Sequence, residues 1–389
     1  MKEGWEYKKL GEIGQIITGN TPSTRDIKNY SSEDRCFVKP SDLGKEGISI
    51  ISDSEFHISE YAFNSSRQLP IGSILTTCIG TIGKIGILDV QATCNQQINA
   101  LIPNNDINSV FVAYNLLSQR HLLEKIANAP IVPIINKGLF SEIKIAIPSI
   151  SHQQQIASEL DLLSNIIEKQ KVQIAEIENL AKSIFYDMFG DTAINERGWE
   201  KKRLEEIVTN DCTISYGIVQ PGEGVENGVP VVRPVDMTDT FISLKGLKHT
   251  TKEISESYKR TILKGNELLL CVRGTTGLVA LSTPELEGCN VTRGITPLEF
   301  NIKCDRWFYY YQFLSNGVQQ YIADYTKGAT LKGINMKDVR NIPLIYPPLA
   351  LQQEFAAKVE AIEQMKAKVR QSLKETEELF NSRMDYYFN

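Results

Sequence analysis

Two long stretches carry the most regular hydrophobic pattern in the chain. In both, apolar side chains recur at alternating spacings of four and three residues, which is the pattern of a coiled-coil seam. The seam positions are Ile156, Leu160, Leu163, Ile167, Ile174, Ile177, Ala181, Ile184 and Met188 in the first stretch, and Phe355, Val359, Ile362, Val369, Leu373 and Phe380 in the second. Gln170 interrupts the first seam, and Lys366 and Thr376 interrupt the second.

The pattern predicts two long helices, at residues 149–190 and 348–389. Ser151 and the prolines at positions 148, 347 and 348 mark where they begin. At ~1.5 Å per residue each helix would be about 55–60 Å long. A stripe of that length cannot be buried on one compact domain, so we predict that the helices pack against each other. The alternative is that each is a core helix of its own domain.

The segment before each long helix has a different pattern. Short β-branched runs, such as residues 72–78, 84–88 and 98–102, are separated by glycine and proline and predict strands. One helix is predicted within each segment, at 110–127 and 306–324. The predicted fold is therefore mixed α/β (α+β), with two similar globular domains at residues 1–148 and 191–347. Helices of such a repeat can pair as an antiparallel coiled coil about a pseudo-two-fold axis.

The two halves repeat one another in order along the chain. Gly4-Trp5-Glu6 recurs as Gly198-Trp199-Glu200, Val38-Lys39-Pro40-Ser41-Asp42 as Val232-Arg233-Pro234-Val235-Asp236, and Gly80-Thr81-Ile82-Gly83 as Gly274-Thr275-Thr276-Gly277. With small insertions, the same alignment matches Cys94-Asn95 to Cys289-Asn290, Lys137-Gly138 to Lys332-Gly333, and Gln153-Gln154 to Gln352-Gln353. We interpret the chain as a tandem repeat, with Trp5 and Trp199 as core anchors.

Charge and cysteine content indicate in which cellular compartment the protein works and where a basic surface can form. The net charge is −5, and the predicted helices hold most of the excess acid, so a basic surface can still form on the globular segments. Seven cysteines, none in a Cys-x-x-Cys pair, predict free thiols in a reducing compartment. No run approaches the ~20 apolar residues of a membrane helix, and residues 1–5 lack a signal peptide's apolar stretch. We expect a cytoplasmic protein with no membrane partner.

Catalytic patterns are incomplete. Asp42 with Glu142 and Lys144 resembles the carboxylate–lysine set of a metal nuclease, but the second half does not repeat it. The four histidines, His57, His121, His152 and His249, do not cluster with cysteines at metal-ligand spacing. A phosphate-binding loop and an Asn-Pro-Pro-aromatic tetrapeptide are both absent from the sequence. We therefore predict no catalytic residues and no metal site.

The order of these motifs resembles one family over essentially the whole chain. The motifs are the 18–23 segment Thr-Gly-Asn-Thr-Pro-Ser, the 271–277 segment Cys-Val-Arg-Gly-Thr-Thr-Gly, the Lys332-Gly333-Ile334-Asn335 turn, and a Pro-x-x-x-x-Gln-Gln entry to each long helix. Together they resemble the DNA specificity subunits of type I restriction–modification systems. Each motif alone is weak, and the repeated order carries the likeness.

The resemblance implies a non-catalytic subunit that reads double-stranded DNA. Two target recognition domains would each read one half of a bipartite target, and the helices would set the gap between the halves. Two methyltransferase (modification) subunits and two ATP-driven restriction/translocase subunits would bind this scaffold. S-adenosylmethionine, ATP and Mg would belong to those partners, with no cofactor in this chain. The alternative is a two-domain adaptor that binds protein or glycan ligands without recognising DNA.

Candidate DNA contacts are polar or basic residues in glycine-rich loops, where the backbone can approach DNA closely. In the first domain they are Asn20, Thr21, Ser23, Arg25, Lys39, Lys84, Gln96, Gln97 and Lys137. In the second they are Tyr216, Gln220, Arg233, Arg273, Thr275, Thr276, Arg293, Lys327 and Lys332. Glutamine can pair bidentately with adenine, and arginine with guanine.

Matching and differing positions suggest different roles. Lys39 with Arg233, and Lys137 with Lys332, match in the alignment and are expected to contact phosphates or hold the fold. Lys84 against Leu278, and Gln97 against Thr292, differ and are expected to contribute to specificity. The 190–197 loop, the Tyr386-Tyr387-Phe388 end and the outer helix faces are predicted docking sites for partner subunits. For the apolar residues at the chain end, the alternative is that they pack at the end of the helix.

Overall fold

The computed structural model describes residues 4–127, 132–222, 224–328 and 332–389. The chain forms two compact units. The first comprises Met1–Val172 and Arg370–Asn389, and the second Gln173–Val369. Both divisions fall inside long helices, so each long helix contributes one part to each unit. In the described parts of the chain, no helix combines the length and the apolar character needed to cross a membrane.

The described residues of the first unit form ten strands, and they include the start of one long helix. The strands are β1 (Glu6–Lys9), β2 (Gly14–Thr18), β3 (Arg35–Val38), β4 (Ile48–Ile51), β5 (His57–Ile58), β6 (Ile74–Thr77), β7 (Ile85–Leu88), β8 (Thr93–Cys94), β9 (Ile98–Pro103) and β10 (Lys144–Ile147). The helices are α1 (Leu10–Ile13), α2 (Glu60–Ser65), α3 (Ser109–Ser118), α4 (Arg120–Ile126), α5 (Lys137–Ser141) and the long α6 (Ile150–Phe189).

A five-stranded sheet in the order β2-β9-β6-β7-β4 forms the centre of the first unit. Strands β6 and β7 are buried at every position, because both faces of the sheet are covered. Ile74 packs in a core with Phe111 of α3, whereas its neighbour Leu75 packs on the other face with Val38 of β3. The strands β5-β3-β8 form a second sheet, and β1 pairs with β10.

The second unit repeats this plan with shorter strands. The strands are β11 (Lys201–Arg203), β12 (Val229–Val232), β13 (Lys248–Thr250), β14 (Leu268–Cys271), β15 (Val279–Leu281), β16 (Asn290–Val291), β17 (Ile295–Leu298) and β18 (Pro343–Ile345). The helices are α7 (Leu204–Ile207), α8 (Lys252–Ser257), α9 (Arg306–Leu314), α10 (Asn316–Tyr325), α11 (Met336–Arg340) and the long α12 (Leu349–Phe388). The sheets are β15-β14-β17, β13-β12-β16 and β11-β18.

The long helices pack against each other in antiparallel fashion within each unit, as predicted. In the first unit, Ile156 and Leu160 near the start of α6 share a core with Met384 and Tyr387 near the end of α12. In the second, residues late in α6 pack with residues early in α12, namely Ala181, Phe185, Phe189, Phe355, Val359 and Ile362. Both helices also contribute to the globular cores, because the same clusters include residues of the strands.

Polar residues interrupt the seam where they find partners. Gln170 donates from Nε2 to Ser372 Oγ at 2.9 Å. Lys366, whose side chain is 4% exposed, pairs with Glu363 at 2.7 Å and with Glu178 at 3.7 Å. A buried ammonium without such partners would be strongly destabilising, so these ion pairs explain why the seam tolerates Lys366.

The repeat is confirmed by a buried glutamine at the start of each long helix. Gln153 Oε1 accepts from Asn108 N at 2.9 Å, and Gln352 Oε1 accepts from Asp305 N at 2.9 Å. The Nε2 atoms donate to the carbonyls of Pro148 (2.9 Å) and Pro347 (2.8 Å). Gln153 therefore links the first turn of α6 to the residue before α3. Gln352 links the first turn of α12 to the residue before α9 in the same way.

The alignment of two dipeptides was wrong. Val38 pairs with Cys94 in the first unit and Val232 with Val291 in the second, so the counterpart of Cys94 is Val291, not Cys289. The residue before α5 is Asn136 and the residue before α11 is Asn335. The backbone hydrogen bonds define which residues are equivalent. Because loops differ in length between the halves, the sequence alignment had matched dipeptides that are identical by chance.

This register corrects two residue pairings. The counterpart of Lys137 is Met336, and that of Lys332 is Pro133, because Gly80 N donates to Pro133 O as Gly274 N does to Lys332 O. Cys78 N donates to Gln97 O as Val272 N does to Gly294 O. Gln97 therefore corresponds to Gly294, not to Thr292, and Gln96 corresponds to Arg293.

The single helices predicted at 110–127 and 306–324 are each two helices. The first breaks at Gln119 between α3 and α4. The second breaks at Ser315, whose ψ of 152° is extended and whose hydroxyl lies 2.6 Å from Thr192 Oγ1. At Gly317 a Cβ would lie 2.6 Å from Ala193 N, so the break brings α10 close against the segment that follows α6. Hydrophobic periodicity alone does not reveal such a break.

Both tryptophans pack as predicted. Trp5 is buried in the core of the first unit, with its ring centroid 6.0 Å from that of Phe111. Trp199 packs on the core of the second unit and donates from Nε1 to Phe189 O at 2.9 Å. Neither ring is presented as a stacking platform.

Candidate nucleic-acid interface

Three loops of the second unit meet beside the end of β14. The loop at 272–277 lies against the segment 332–334, because Gly274 N donates to Lys332 O at 2.9 Å and Ile334 N to Val272 O at 3.0 Å. The turn at 292–294 closes the group, since Val272 N donates to Gly294 O at 2.7 Å. Lys327 and Gly333 exchange backbone hydrogen bonds of 2.9 Å in both directions.

Five side chains on or beside these loops form what we call the basic cluster: Tyr216, Arg273, Arg293, Lys327 and Lys332. The guanidinium carbons of Arg273 and Arg293 lie 5.0 and 5.9 Å from the Tyr216 ring centroid. Tyr216 is fixed in turn by its hydroxyl, which donates to Ile334 O at 3.4 Å. Arg293, Lys327 and Lys332 are exposed.

Arg273 carries an unused donor. Its Nε is buried and has no hydrogen-bond partner among the described residues. A buried polar group without a partner is uncommon and calls for an explanation, such as a ligand that completes it. The guanidinium is therefore held next to Tyr216 with hydrogen-bonding capacity to spare.

Glycines shape the loop that carries Arg273. Gly274 and Gly277 have φ values of +81° and +89°, which side-chain-bearing residues rarely adopt. A Cβ on Gly277 would also lie 2.7 Å from Gln319 Oε1. Between the glycines, Thr275 is exposed and Thr276 accepts from Thr326 Oγ1 at 3.0 Å.

The first unit builds the same loop frame with different side chains. Gly80 N donates to Pro133 O at 3.1 Å and Ile135 N to Cys78 O at 2.8 Å. By this register Ile79 stands in the place of Arg273, Pro133 in the place of Lys332, and Gln96 in the place of Arg293. Three of the five members of the basic cluster thus have uncharged counterparts.

Four residues of the first unit form what we call the amide cluster: Asn20, Thr21, Arg67 and Gln96. Thr21 donates from its hydroxyl to Gln96 Oε1 at 2.5 Å. Asn20 Oδ1 accepts from Arg67 N at 3.2 Å, and Arg67 Nη1 donates to Thr18 O at 2.6 Å.

Arg67 was missed by the sequence analysis. It follows α2 in the run Ser65-Ser66-Arg67-Gln68, which has no glycine, so a search restricted to glycine-rich loops passes over it. The polar composition of that run was the signal that could have found it.

Close backbone approach holds both clusters in place. At Gly19, which precedes the amide cluster, a Cβ would lie 2.2 Å from Asn95 O. At Gly217, which follows Tyr216, a Cβ would lie 2.2 Å from Val291 O. Any side chain at either position would push the loops apart.

Other candidate residues are engaged within the fold. Lys84 Nζ donates to Pro40 O and Leu43 O, both at 2.7 Å. Arg233 donates to both carboxylate oxygens of Asp236, at 3.0 and 2.7 Å, and this carboxylate raises the pKa of Arg233. Lys39 Nζ lies 3.0 Å from the Phe56 ring centroid. Gln97 Oε1 accepts from Asn95 at 2.9 Å.

The remaining candidates are exposed and lie outside the two clusters as defined. They are Ser23, Arg25, Lys137 and Gln220. Ser23 Oγ accepts from Arg25 N at 3.3 Å, and Lys137 is the first residue of α5. Of the eighteen candidates, the structure brings Asn20, Thr21 and Gln96 into one cluster and Tyr216, Arg273, Arg293, Lys327 and Lys332 into the other.

The two repeats match a single family model, that of the type I restriction modification DNA specificity domain. It covers residues 2–179 and again residues 196–376. The chain belongs to this family. A specificity subunit of Methanocaldococcus jannaschii, that of type I restriction enzyme MjaIX, is 25% identical over 380 residues, which are 92% of this chain and 86% of the relative. The EcoBI specificity subunit of Escherichia coli is 21% identical over 350 residues, 82% of this chain and 73% of the relative.

Two solved structures from type I restriction–modification systems share the fold. The S subunit from M. genitalium has a TM-score of 0.59 at 14% identity, with 98% of this chain and 95% of that chain covered. A chain from a study of complex assembly and conformational transition of the type I restriction–modification system has a TM-score of 0.59 at 16% identity, with 100% and 98% covered. At these identities the likeness concerns the fold.

In this member of the family, the two clusters offer different hydrogen-bonding groups at equivalent loops. The basic cluster supplies fixed positive charge and forked guanidinium donors, which suit phosphate and guanine. In the amide cluster, Asn20, Thr21 and Gln96 have side chains that both donate and accept, which suits adenine.

Proposed function

We propose that this chain is the DNA sequence-specificity subunit of a type I restriction–modification complex and that it reads a bipartite double-stranded target. The observation that carries the proposal is that one loop frame bears different side chains in the two units. Arg273 and Arg293 in the second unit replace Ile79 and Gln96 in the first. Duplicated frames with divergent side chains are what two readers of different half-sites require.

The second unit is proposed to read guanine and to grip phosphates. Arg273 and Arg293 flank Tyr216, and this contact restricts their orientation before DNA arrives. A guanidinium held in this way can donate to O6 and N7 of guanine from the major groove. Lys327 and Lys332 are exposed beside them and are proposed to contact phosphates, which position the unit without reading sequence.

The first unit is proposed to read adenine through Gln96. Thr21 donates to Gln96 Oε1 at 2.5 Å, so this bond fixes the amide while Nε2 and the second lone pair of Oε1 stay available. Those two groups match N7 and the N6 amino group of adenine. Arg67 is proposed to contact the sugar–phosphate backbone of the DNA beside this half-site.

The candidates engaged within the fold are proposed to have structural roles. The charged groups of these residues already have partners within the fold. Lys84 donates to backbone carbonyls, Arg233 to a carboxylate, and Lys39 lies over an aromatic ring. We propose that they shape the loops and do not read bases. Gln97 is proposed to support Gln96 from the adjacent position.

Catalysis is proposed to belong to partner subunits. Two modification subunits would methylate adenine with S-adenosylmethionine, and two restriction/translocase subunits would use ATP and Mg. The long helices α6 and α12 are proposed to act as the spacer that sets the gap between half-sites. Support comes from the family and from the fold shared with a chain that was studied for assembly of such a complex.

The proposal is tested by mapping adenine methylation in a host that expresses the modification subunit, with and without this gene. We expect one split motif with an unspecified gap to be methylated only when the gene is present. An unchanged map, with both proteins expressed, would overturn the proposal. It would favour the adaptor alternative, whose ligand is protein or glycan.

A further inference from the structure

Three potential metal ligands converge in the first unit, away from the residues that define the amide cluster. Cys36 on β3 and His57 on β5 are direct cross-strand neighbours in an antiparallel pair. Asp53 lies in the loop just before β5 and reaches back to both. The Cys36 thiol, the Asp53 carboxylate and the His57 ring nitrogen all lie within 4.8 Å of one another.

The distances are close to those of a tetrahedral site. Cys36 Sγ lies 3.5 Å from Asp53 Oδ1 and 4.0 Å from His57 Nε2, and Nε2 lies 2.8 Å from Oδ1. Zinc sits about 2.3 Å from sulfur and about 2.0 Å from nitrogen or oxygen, so tetrahedral ligand atoms are roughly 3.3–3.5 Å apart. Shifts of about 0.5 Å would therefore bring all three atoms to bonding distance of one ion.

The same geometry argues against a catalytic relay. In a Cys–His–Asp relay the imidazole uses one nitrogen for the thiol and the other for the carboxylate. Here His57 presents Nε2 to both Asp53 and Cys36. Three atoms that face one point are arranged to surround an ion.

We propose that Cys36, Asp53 and His57 form a binding site for a divalent transition-metal ion, with Zn²⁺ as the best match. Thiolate and imidazole ligands select such ions, whereas Mg²⁺ and Ca²⁺ take oxygen ligands. Asp53 is exposed, so water can complete the coordination. The bound ion joins the loop before β5 to β3, and its effect is to stabilise the first unit.

The second unit provides an internal control. Its corresponding strands pair Pro230 with His249 where the first unit pairs Cys36 with His57. Proline offers no ligand atom, so the histidine is present without the thiol. One ion per chain is therefore expected, bound in the first unit.

The test is titration of the purified, metal-free full-length chain with Co²⁺, which takes the same ligands and reports on them by absorption. We expect one equivalent to produce a thiolate-to-cobalt charge-transfer band. Cys36→Ser and His57→Gln should abolish it. The matched controls Cys304→Ser, at another half-buried thiol, and His249→Gln should retain it.

A second readout is thermal unfolding of the first unit with and without Zn²⁺, followed by Trp5 fluorescence in a Trp199→Phe/Trp307→Phe chain. Zn²⁺ should raise the unfolding temperature in that chain, and Cys36→Ser should remove the increase. Absence of the charge-transfer band at excess Co²⁺, or its persistence in Cys36→Ser, would overturn the proposal.

Discussion

Replacing the buried glutamine at the start of one long helix should destabilise one unit selectively. Gln352 is fully buried and Gln153 is 1% exposed. Each satisfies a backbone N–H and a proline carbonyl at 2.8–2.9 Å. Gln352→Ala removes the hydrogen bonds to Asp305 N and Pro347 O. Gln153→Ala removes those to Asn108 N and Pro148 O.

The expected loss follows from those stranded groups. A buried donor or acceptor left without a partner costs about 1–3 kcal/mol, so two such groups give roughly 2–6 kcal/mol per variant. Gln352→Met retains volume while losing the bonds and should lose a similar amount. The neighbouring glutamines Gln154 and Gln353 are exposed, so their alanine variants should change stability by less than about 0.5 kcal/mol.

The three tryptophans allow each unit to be followed separately. Trp5 lies in the first unit, whereas Trp199 and Trp307 lie in the second. In urea, Gln352→Ala should shift the unfolding transition seen in a Trp5→Phe chain. Gln153→Ala should shift the one seen in a Trp199→Phe/Trp307→Phe chain. A loss below about 1 kcal/mol in the unit that carries the variant would refute this reasoning.

Three further predictions follow from single contacts. Gly217→Ala should destabilise the second unit by at least about 1–3 kcal/mol in the same urea assay, whereas Gly224→Ala, with open space around it, should not. Hydrogen bonds from Arg383 lower the pKa of Glu159 from its ordinary 4.5. The stability that this ionised carboxylate gives the first unit is therefore complete above that value and is lost as the pH falls through the lowered pKa. Glu159→Gln should make the first unit's free energy of unfolding depend less on pH in the acid range. Lys327→Ala and Lys332→Ala should each reduce the slope of log binding constant against log salt concentration by about 0.9, measured by DNA titration, and an unchanged slope would remove these lysines from the phosphate contacts.

The sequence was most informative where one periodic signal ran for a long distance. The heptad positions of α6 and α12 predicted two long helices and their pairing, because the seam continues beyond any one globular core. The buried glutamines were visible as a repeated motif. Their hydrogen bonds could not be foreseen, since the partners Asn108 and Asp305 lie 45 and 47 residues away.

The candidate interface was harder to predict, because it depends on register. Cys94 and Cys289 share a residue type but not a place in the sheet, and this misplaced the counterparts of Lys137 and Gln97. Lys84 appeared free in the sequence, and only the fold shows that two carbonyls hold it. Cys36, Asp53 and His57 match no ligand spacing along the chain, since a strand pairing and a loop bring them together.

The central claim is that the two units read different halves of one DNA target through equivalent loops. The most direct test is an adenine methylation map from hosts that express the modification subunit with either the natural chain or an Arg273→Ile/Arg293→Gln chain. These changes give the second unit two side chains of the first. The account predicts a split motif in which one half changes and the other half and the gap stay the same. A motif unchanged in both halves would contradict it.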